Sequence, residues 1–324
     1  MKKISIVIPV YNEEFFIRGL LESINEVNYP RNDFEVIVVC DGCTDGTVSV
    51  VKEFPFVQLI ELKKNVGRYE ARKIGAESAT HPNILFLDAR CIADSDILAA
   101  IHKSEEKVII GKIQTDKMTG FFEVFYMSIR RVVFRNYFTN TNTVIKLTAE
   151  NFDSHPKGTT VLFVQKDILF QAFKELSHLE MGKNSSDDTK LLRTIVEHTP
   201  IALHPDVKII YFYRKSFMAN WAHLYDFIAP SFVDYYLNPS QKYFWLIILL
   251  PLAALFALLF GLIYIQISAL TKLAAIIGLD LVIALILARS FREFYIILTM
   301  LPLCVGTFYV GVVRGIILKL FNRL

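Results

Sequence analysis

The first hundred residues alternate short apolar runs, rich in β-branched side chains, with segments of helical period. "ISIVIPV" (4–10), "FEVIVVC" (34–40), "FVQLIEL" (56–62) and "ILFLD" (84–88) predict strands, and helices are expected near 14–26, 47–53, 69–79 and 96–103. Strands that are apolar on both faces and joined by helices imply an α/β fold, a mostly parallel sheet with helices on both faces. In such a sheet a ligand sits beyond the carboxyl ends of the strands.

Further along, "GFFEVFYMSIRRVVFRNYF" (120–138) places Phe121, Phe122, Phe125, Tyr126, Ile129, Val132 and Val133 on one helical face. Glu123, Arg130, Arg131 and Arg135 lie opposite. The pattern fits an amphipathic helix in a membrane interface and equally a core-facing helix with solvated arginines. From 243 to 271 there is no charged residue, a run longer than the roughly 20 apolar residues a bilayer requires. Two more apolar segments follow, 273–287 with Asp280 inside it, and 294–318 with Pro302, Gly306, Gly311 and Gly315. Asp280 within a span needs a partner, and Lys272 is the nearest candidate. Arg289 and Arg292 return to the cytoplasm after two spans under the positive-inside rule. A third full span conflicts with the basic tail, so the last segment is expected either to cross or to form a broken, re-entrant helix.

Composition agrees with a chain of two characters. Of 324 residues 53% are hydrophobic, and the mean hydropathy of +0.39 is too high for an ordinary soluble enzyme and too low for a purely transmembrane protein. A net charge of +3, from 35 basic and 32 acidic residues, gives no reason to expect nucleic acid as a partner. "MKKISIVIPVYNEE" reaches Asn12 and Glu13 after a short apolar run without a small-residue cleavage site, so it reads as a first strand rather than a signal peptide. Cys40 and Cys43 have CxxC spacing but no second pair or histidines to complete a zinc site. With Cys91 and Cys304 they read as packing thiols.

The unusual residues collect at strand ends. Pro9, Tyr11, Asn12 and Glu13 follow the first strand, Asp41 and Asp45 stand in "CDGCTDGT" after the second, and Asp88 follows the fourth. Any one of these strings is an ordinary turn or helix start, but three acid-bearing ends in one sheet point to one cleft. No GxGxxG follows the first strand, and "GKIQTD" at Gly111 lacks the Gly-rich loop of a Walker A motif.

Taken in order and spacing, "ISIVIPVYNEE", "VIVVCDGCTDGT", "KNVGRYEARKIGAESA", "ILFLDARC" and "SSDDTKLL" resemble the family 2 glycosyltransferases of GT-A fold, over roughly 4–214. That resemblance implies inverting transfer of a sugar from a nucleotide diphosphate donor, with UDP the commonest form. It implies donor-binding roles for Pro9, Tyr11, Glu13, Asp41, Asn65, Gly67 and Arg72. The family's acid-x-acid motif falls on Asp88, Ala89 and Arg90, so a magnesium or manganese ion keeps one ligand, Asp88, and lacks the second. Arg90 either tolerates the ion, replaces part of its charge against the diphosphate, or marks a dead site. Asp188, beside Asp187 in "DDTKLL", matches the family's catalytic base. The QxxRW motif of processive synthases is absent. Where it belongs the chain reads "NWAHLYDFIAP", in which Trp221 and Tyr225 are candidate acceptor residues.

The expectation is therefore a cytoplasmic catalytic domain over 1–215, a juxtamembrane connection over 216–242 and a membrane domain of two or three helices over 243–324. Such a protein would sit in the bacterial inner membrane and transfer a sugar to a lipid-linked or polyprenyl-phosphate acceptor in cell-surface glycan synthesis. The alternatives are a non-catalytic nucleotide-sugar-binding membrane subunit and a processive polysaccharide synthase.

Overall fold

A computed structural model of the chain describes residues 1–114, 120–139, 142–179, 181, 185–214, 216–238 and 269–321, with positions 241, 244, 245, 249, 253 and 256. The first apolar span expected, 243–267, and the side chain of Lys272 lie outside the described residues apart from those isolated positions. The chain divides into two compact units. One comprises Met1–Met118, Val133–Lys183 and Asp187–Tyr213; the other comprises Thr119–Val132, Asn184–Ser186 and Arg214–Leu324.

The first unit is built on a sheet of nine strands: β1 (Ile4–Val10), β2 (Phe34–Cys40), β3 (Val57–Glu61), β4 (Asn83–Leu87), β5 (Cys91–Ala93), β6 (Val108–Ile113), β7 (Ile145–Leu147), β8 (Val161–Gln165) and β9 (Ile201–Tyr211). Its order is β3-β2-β1-β4-β8-β6-β9-β5, with β7 also pairing β9. The four strands expected from the apolar runs are mutually parallel, β1 lying between β2 and β4, and β2 between β1 and β3. Beyond β4 the sheet turns mixed, because β8 runs antiparallel to both β4 and β6.

Helices α1 (Glu14–Asn25), α2 (Thr47–Lys52), α3 (Arg68–Ser78) and α4 (Ile97–Lys103) connect the early strands. In α1 the buried residues Ile17, Leu20, Leu21 and Ile24 recur at helical spacing. They pack with Ile4, Ile6, Ile8, Val36 and Val38 in the main core. The alternate residues of β1 and β2 face α3. A Cβ added at Gly75 would lie 2.4 Å from Val7 Cγ1 and 3.1 Å from Val39 Cγ2, so glycine lets this helix approach the sheet closely. Both faces of the early sheet are thereby covered, which is why its strands read as nearly unbroken apolar runs.

In the second unit, α5 (Phe121–Val133) is separated at Phe134 from the short α6 (Arg135–Thr139), which belongs to the first unit. Phe122 and Phe125 of α5 pack with Leu224, Ile296, Met300 and Cys304. Within this unit the aromatic face is thus a packed one, and the buried stripe is narrower than the wheel suggests: Val132 and Val133 are exposed. Arg131 on the polar side is ion-paired to Glu293, with Nη1 donating to Oε1 at 3.1 Å and Nη2 to Oε2 at 2.6 Å.

After α7 (Lys166–Glu175) and α8 (Asp187–His198) in the first unit, the second continues with α9 (Phe217–His223), a π-helical turn over Leu224–Ile228, and α10 (Ala229–Tyr236). Two apolar helices follow, α11 (Ala269–Leu287) and α12 (Phe291–Leu320). The last is continuous through Pro302, so the broken, re-entrant alternative is corrected to one helix of 30 residues. At 1.5 Å per residue it is about 45 Å long, and among the described residues it is the helix long and apolar enough to cross a membrane. Gly311 and Gly315 seat it against α10: added Cβ atoms there would lie 2.7 Å from Ala229 Cβ and 2.9 Å from Pro230 Cα.

Candidate active site

The loop after β1 is stitched to the turn after β2. Asn12 adopts a left-handed φ of 54°, and its Oδ1 accepts from Thr44 N at 2.8 Å while its Nδ2 donates to Thr44 Oγ1 at 3.1 Å. Glu13 N donates to Thr47 Oγ1 at 2.9 Å. Asp45 is used locally, its Oδ1 accepting from both the amide and the hydroxyl of Thr47. Tyr11 stands about half exposed at the rim, and Pro9 lies in β1 beside Val39.

Asp41 is buried, and both its carboxylate oxygens are occupied. Oδ1 accepts from Val66 N at 2.6 Å and Oδ2 from Gly67 N at 3.0 Å. It therefore lies beneath the turn formed by Asn65, Val66 and Gly67 and shapes it. Gly67 has φ 97° and ψ 157°, backbone that side-chain-bearing residues avoid, and nothing lies within 4 Å of where its Cβ would be. Open space over this turn and a tightly held backbone beneath it are what a ligand approaching the strand ends would meet. The flanking thiols pack as expected: Cys40 is in the core, and Cys43 donates weakly to Val10 O. The hydrogen bond from Cys40, opposed by burial, lowers the Cys43 thiol to about 7.

From this turn α3 carries two arginines toward acids that arrive from β4 and α8. Arg72 is 4% exposed, with Nη1 donating to Asp187 Oδ2 at 3.0 Å and Nη2 3.7 Å from Asp88 Oδ1. It joins the β4 end to the α8 start, and its own bond to Asp187 spans 115 positions of chain. Its Nε is buried without a hydrogen-bond partner among the described residues. One turn earlier, Arg68 Nη2 donates to Asp187 Oδ1 at 2.5 Å. Asp188 follows Asp187 in the first turn of α8, where the helix dipole favours acids. Burial first, and the adjacent Asp187 second, raise the Asp188 carboxyl above its ordinary value, against the pull of Arg68 and Arg72. Lys157, itself partly buried and paired with Asp153 at 3.4 Å, feels the Asp188 charge from another side.

Arg90 does not lie with this group. Its Nε donates to Glu13 Oε1 at 2.7 Å, and its guanidinium stacks 4.9 Å from the Phe16 ring centre. The charge introduced at the second position of the acid-x-acid motif is thus matched by Glu13. Asp88 remains as one carboxylate, facing Arg72, and among the described residues no three His, Cys, Asp or Glu side chains converge as a metal site. A divalent ion held by the protein alone does not fit these residues.

The structure therefore brings Asp88, Arg72, Asp187 and Asp188 together. It sets Asp41, Asn65 and Gly67 in the turn that leads into α3, and Glu13 with Arg90 at the first strand end. Arg68 and Lys157 were not singled out by the sequence. The one available signal for Arg68 is its i, i+4 spacing to Arg72 at the start of the same helix. In the second unit Trp221 and Tyr225 line an apolar groove of about 640 Å³ with Met218, Pro302 and Gly306. There Arg314 lies 5.2 Å from the Tyr225 ring centre and 3.3 Å from Asp226.

Comparison with known proteins places this arrangement. Glycosyltransferase AglE of Haloferax volcanii is 33% identical over 92 residues, 27% of this chain and 30% of that protein. Dolichyl-phosphate beta-glucosyltransferase of Drosophila melanogaster is 34% identical over 99 residues, again 27% of this chain and 30% of that protein. The aligned stretch thus spans less than a third of either relative's length. Among solved structures, mannosyltransferase PcManGT from Pyrobaculum calidifontis, in complex with GDP-Man and Mn2+, superposes with a TM-score of 0.62 at 17% identity. It covers 97% of this chain and 87% of its own, a likeness of fold that agrees with the GT-A arrangement. The family described as Glycosyl transferase family 2 matches from residue 5 to residue 161, through the strand ends that carry Pro9, Asp41 and Asp88 and the helix that carries Arg72, and over that stretch the chain carries a domain of this family.

Proposed function

We propose that the chain is an inverting glycosyltransferase that moves one sugar from a nucleoside diphosphate donor to a hydroxyl group of a lipid-linked acceptor at the cytoplasmic face of a membrane, in the synthesis of a cell-surface glycan. The observation that carries it is the convergence of Asp88, at the end of β4, with Asp187 and Asp188, at the start of α8, through the buried Arg72. A family 2 domain supports the donor class, and the names of the relatives support sugar transfer and, for one, a dolichyl-phosphate acceptor.

In the reaction the acceptor oxygen attacks the anomeric carbon from the face opposite the diphosphate. The bond from that carbon to the phosphate oxygen breaks, and its electron pair leaves with the nucleoside diphosphate. The acceptor proton passes to Asp188, whose raised proton affinity suits a general base. Only a hydroxyl acceptor needs such a base, because the oxygen of a polyprenyl phosphate is already ionised at neutral pH. For that reason a lipid-linked sugar is favoured over polyprenyl phosphate. The turn over Asp41 positions the donor, with uridine the first nucleobase to test. The first unit is the catalytic part, and α12 supports membrane association of the remainder. The lipid part of the acceptor is assigned to the apolar groove at Trp221 and Tyr225, which flanks that membrane-length helix.

Arg90 in place of a second acid favours one other reading, a subunit that binds a nucleotide sugar without chemistry. Asp188→Asn separates the two. For an enzyme, transfer to a lipid-linked disaccharide falls at least a hundredfold while the affinity for nucleoside diphosphate is kept. Full transfer by the variant would refute the base. Absence of donor hydrolysis and transfer in the folded wild type, with UDP- and GDP-sugars and both acceptor classes, would favour the binding subunit.

A further inference from the structure

We infer that Arg68, and not Arg72, is the arginine that grips the donor's diphosphate, exchanging its bond to Asp187 for the phosphate oxygens when the donor arrives. This rests on the donor class proposed above.

Arg72 is ill placed for that task. It is 4% exposed, and both its Nη atoms are turned to carboxylates, Asp187 on one side and Asp88 on the other. Pulling it out would take from Asp88 the arginine it faces and from the buried Asp187 its buried partner, leaving Asp187 only the exposed Arg68. Arg68 occupies the position one turn earlier on α3 and reaches Asp187 from the solvent side, with 42% of its side chain exposed. Asp187 would keep Arg72 at 3.0 Å when Arg68 moves, so the exchange leaves no buried charge without a partner.

The surroundings of Arg68 point the same way. It directly follows Gly67, over which a Cβ would meet nothing within 4 Å, so the open space above the turn ends at this guanidinium. The carboxylates of Asp187, Asp188 and Asp88 are all within electrostatic reach of it. A diphosphate laid over the glycine toward Asp88 meets the forked donors of Arg68, which suit two phosphate oxygens at once. Moving that positive charge from Asp187 to the diphosphate also strengthens Asp188 as a base only when donor is bound, since Arg68 is one of the groups that hold its proton affinity down.

The test is calorimetric titration of the full chain in detergent with UDP, UMP, GDP and GMP, for wild type, Arg68→Gln and Arg68→Lys. Wild type is expected to prefer the diphosphate of its nucleobase over the monophosphate. Arg68→Gln should lose roughly ten- to a hundredfold in affinity for the diphosphate, the range for charge-assisted hydrogen bonds, with the monophosphate affected less than threefold. Arg68→Lys, which keeps the charge and loses the fork, should fall between; it carries the test should the glutamine variant fail to fold. Diphosphate affinity unchanged in both variants overturns the assignment of Arg68 alone. A wild type that binds neither diphosphate overturns the donor class and this inference with it.

Discussion

Replacing Asp41 by asparagine changes one atom in a fully occupied site, and its effect can be worked from the geometry. The carboxylate takes two backbone N–H groups, Val66 at 2.6 Å and Gly67 at 3.0 Å, and is 3% exposed. An asparagine has one accepting oxygen, so whichever way it is turned its NH2 faces one of those amides. One charge-assisted bond is lost, a buried N–H is orphaned, and relief from burying a charge offsets part of the cost. The net is about 2–3 kcal/mol against the closed turn. At 1.4 kcal/mol per tenfold, that is roughly a 30- to 150-fold fall in local protection. Hydrogen exchange read by mass spectrometry on peptides spanning 62–68 measures it directly, with peptides from β8 as an internal control. Gly67→Ala opens the same turn by another route, since the new methyl has room but the φ of 97° strains it by about 1–3 kcal/mol. The double variant should cost less than the sum, because both act on one turn. Exchange at 62–68 that changes less than threefold in Asp41→Asn would refute the clamp.

Arg72→Met should destabilise the first unit by about 1.5–3 kcal/mol, the cost of one charge-assisted hydrogen bond to a buried Asp187 that keeps Arg68 as its other partner, read as the midpoint shift in pulse proteolysis over a urea series. Asp188→Asn should be more stable than wild type at neutral pH: a carboxyl whose folded pKa is raised contributes stability that is complete below its unfolded value near 3.8 and lost as the pH rises through the higher folded value. Melting curves from pH 3 to 8 should therefore diverge upward in pH, and parallel curves would mean that Asp188 is not perturbed. In the second unit Gly311→Ala forces a methyl to within 2.7 Å of Ala229 Cβ and should cost about 1–3 kcal/mol as overpacking. Gly306→Ala, with open space around it, should gain up to about 1 kcal/mol from helix propensity. Limited proteolysis within 225–236 compares the two.

The part of the fold legible in the sequence is the part whose strands are buried on both faces. β1, β2 and β4 stand out because each carries an unbroken apolar run of four or five residues, 6–10, 36–40 and 84–87, that leaves no other place for them. β5 and β7 have three residues each, too short for any periodicity. β9 hides its length behind Pro205. The register against β6 jumps from Gly111 opposite His204 to Lys112 opposite Lys208, so the proline falls where the ladder is interrupted and needs no N–H. The aromatic pattern of α5 could not choose between a membrane surface and a packed core, since either would select the same residues. Its companions Leu224, Ile296 and Met300 decide that its aromatic stripe is packed, and they are far away in sequence.

The acids of the site were legible for a different reason from the arginines. An acid at a strand end or in the first turn of a helix is visible as a local anomaly, and Asp41, Asp88, Asp187 and Asp188 each announce themselves that way. What each acid does depends on the cation it meets, and those pairings are long-range: Arg72 reaches Asp187 across 115 positions and Arg90 reaches Glu13 across 77. A sequence shows that Arg90 replaces an acid; only the fold shows that Glu13 absorbs the new charge, so that the substitution leaves the Asp88, Arg72 and Asp187 cluster intact. The departure from the acid-x-acid pattern is therefore compensated locally, and the charge that must meet a donor's diphosphate is left to a residue the pattern never marked. Arg68 is the guanidinium in reach of all three acids that is still open to solvent.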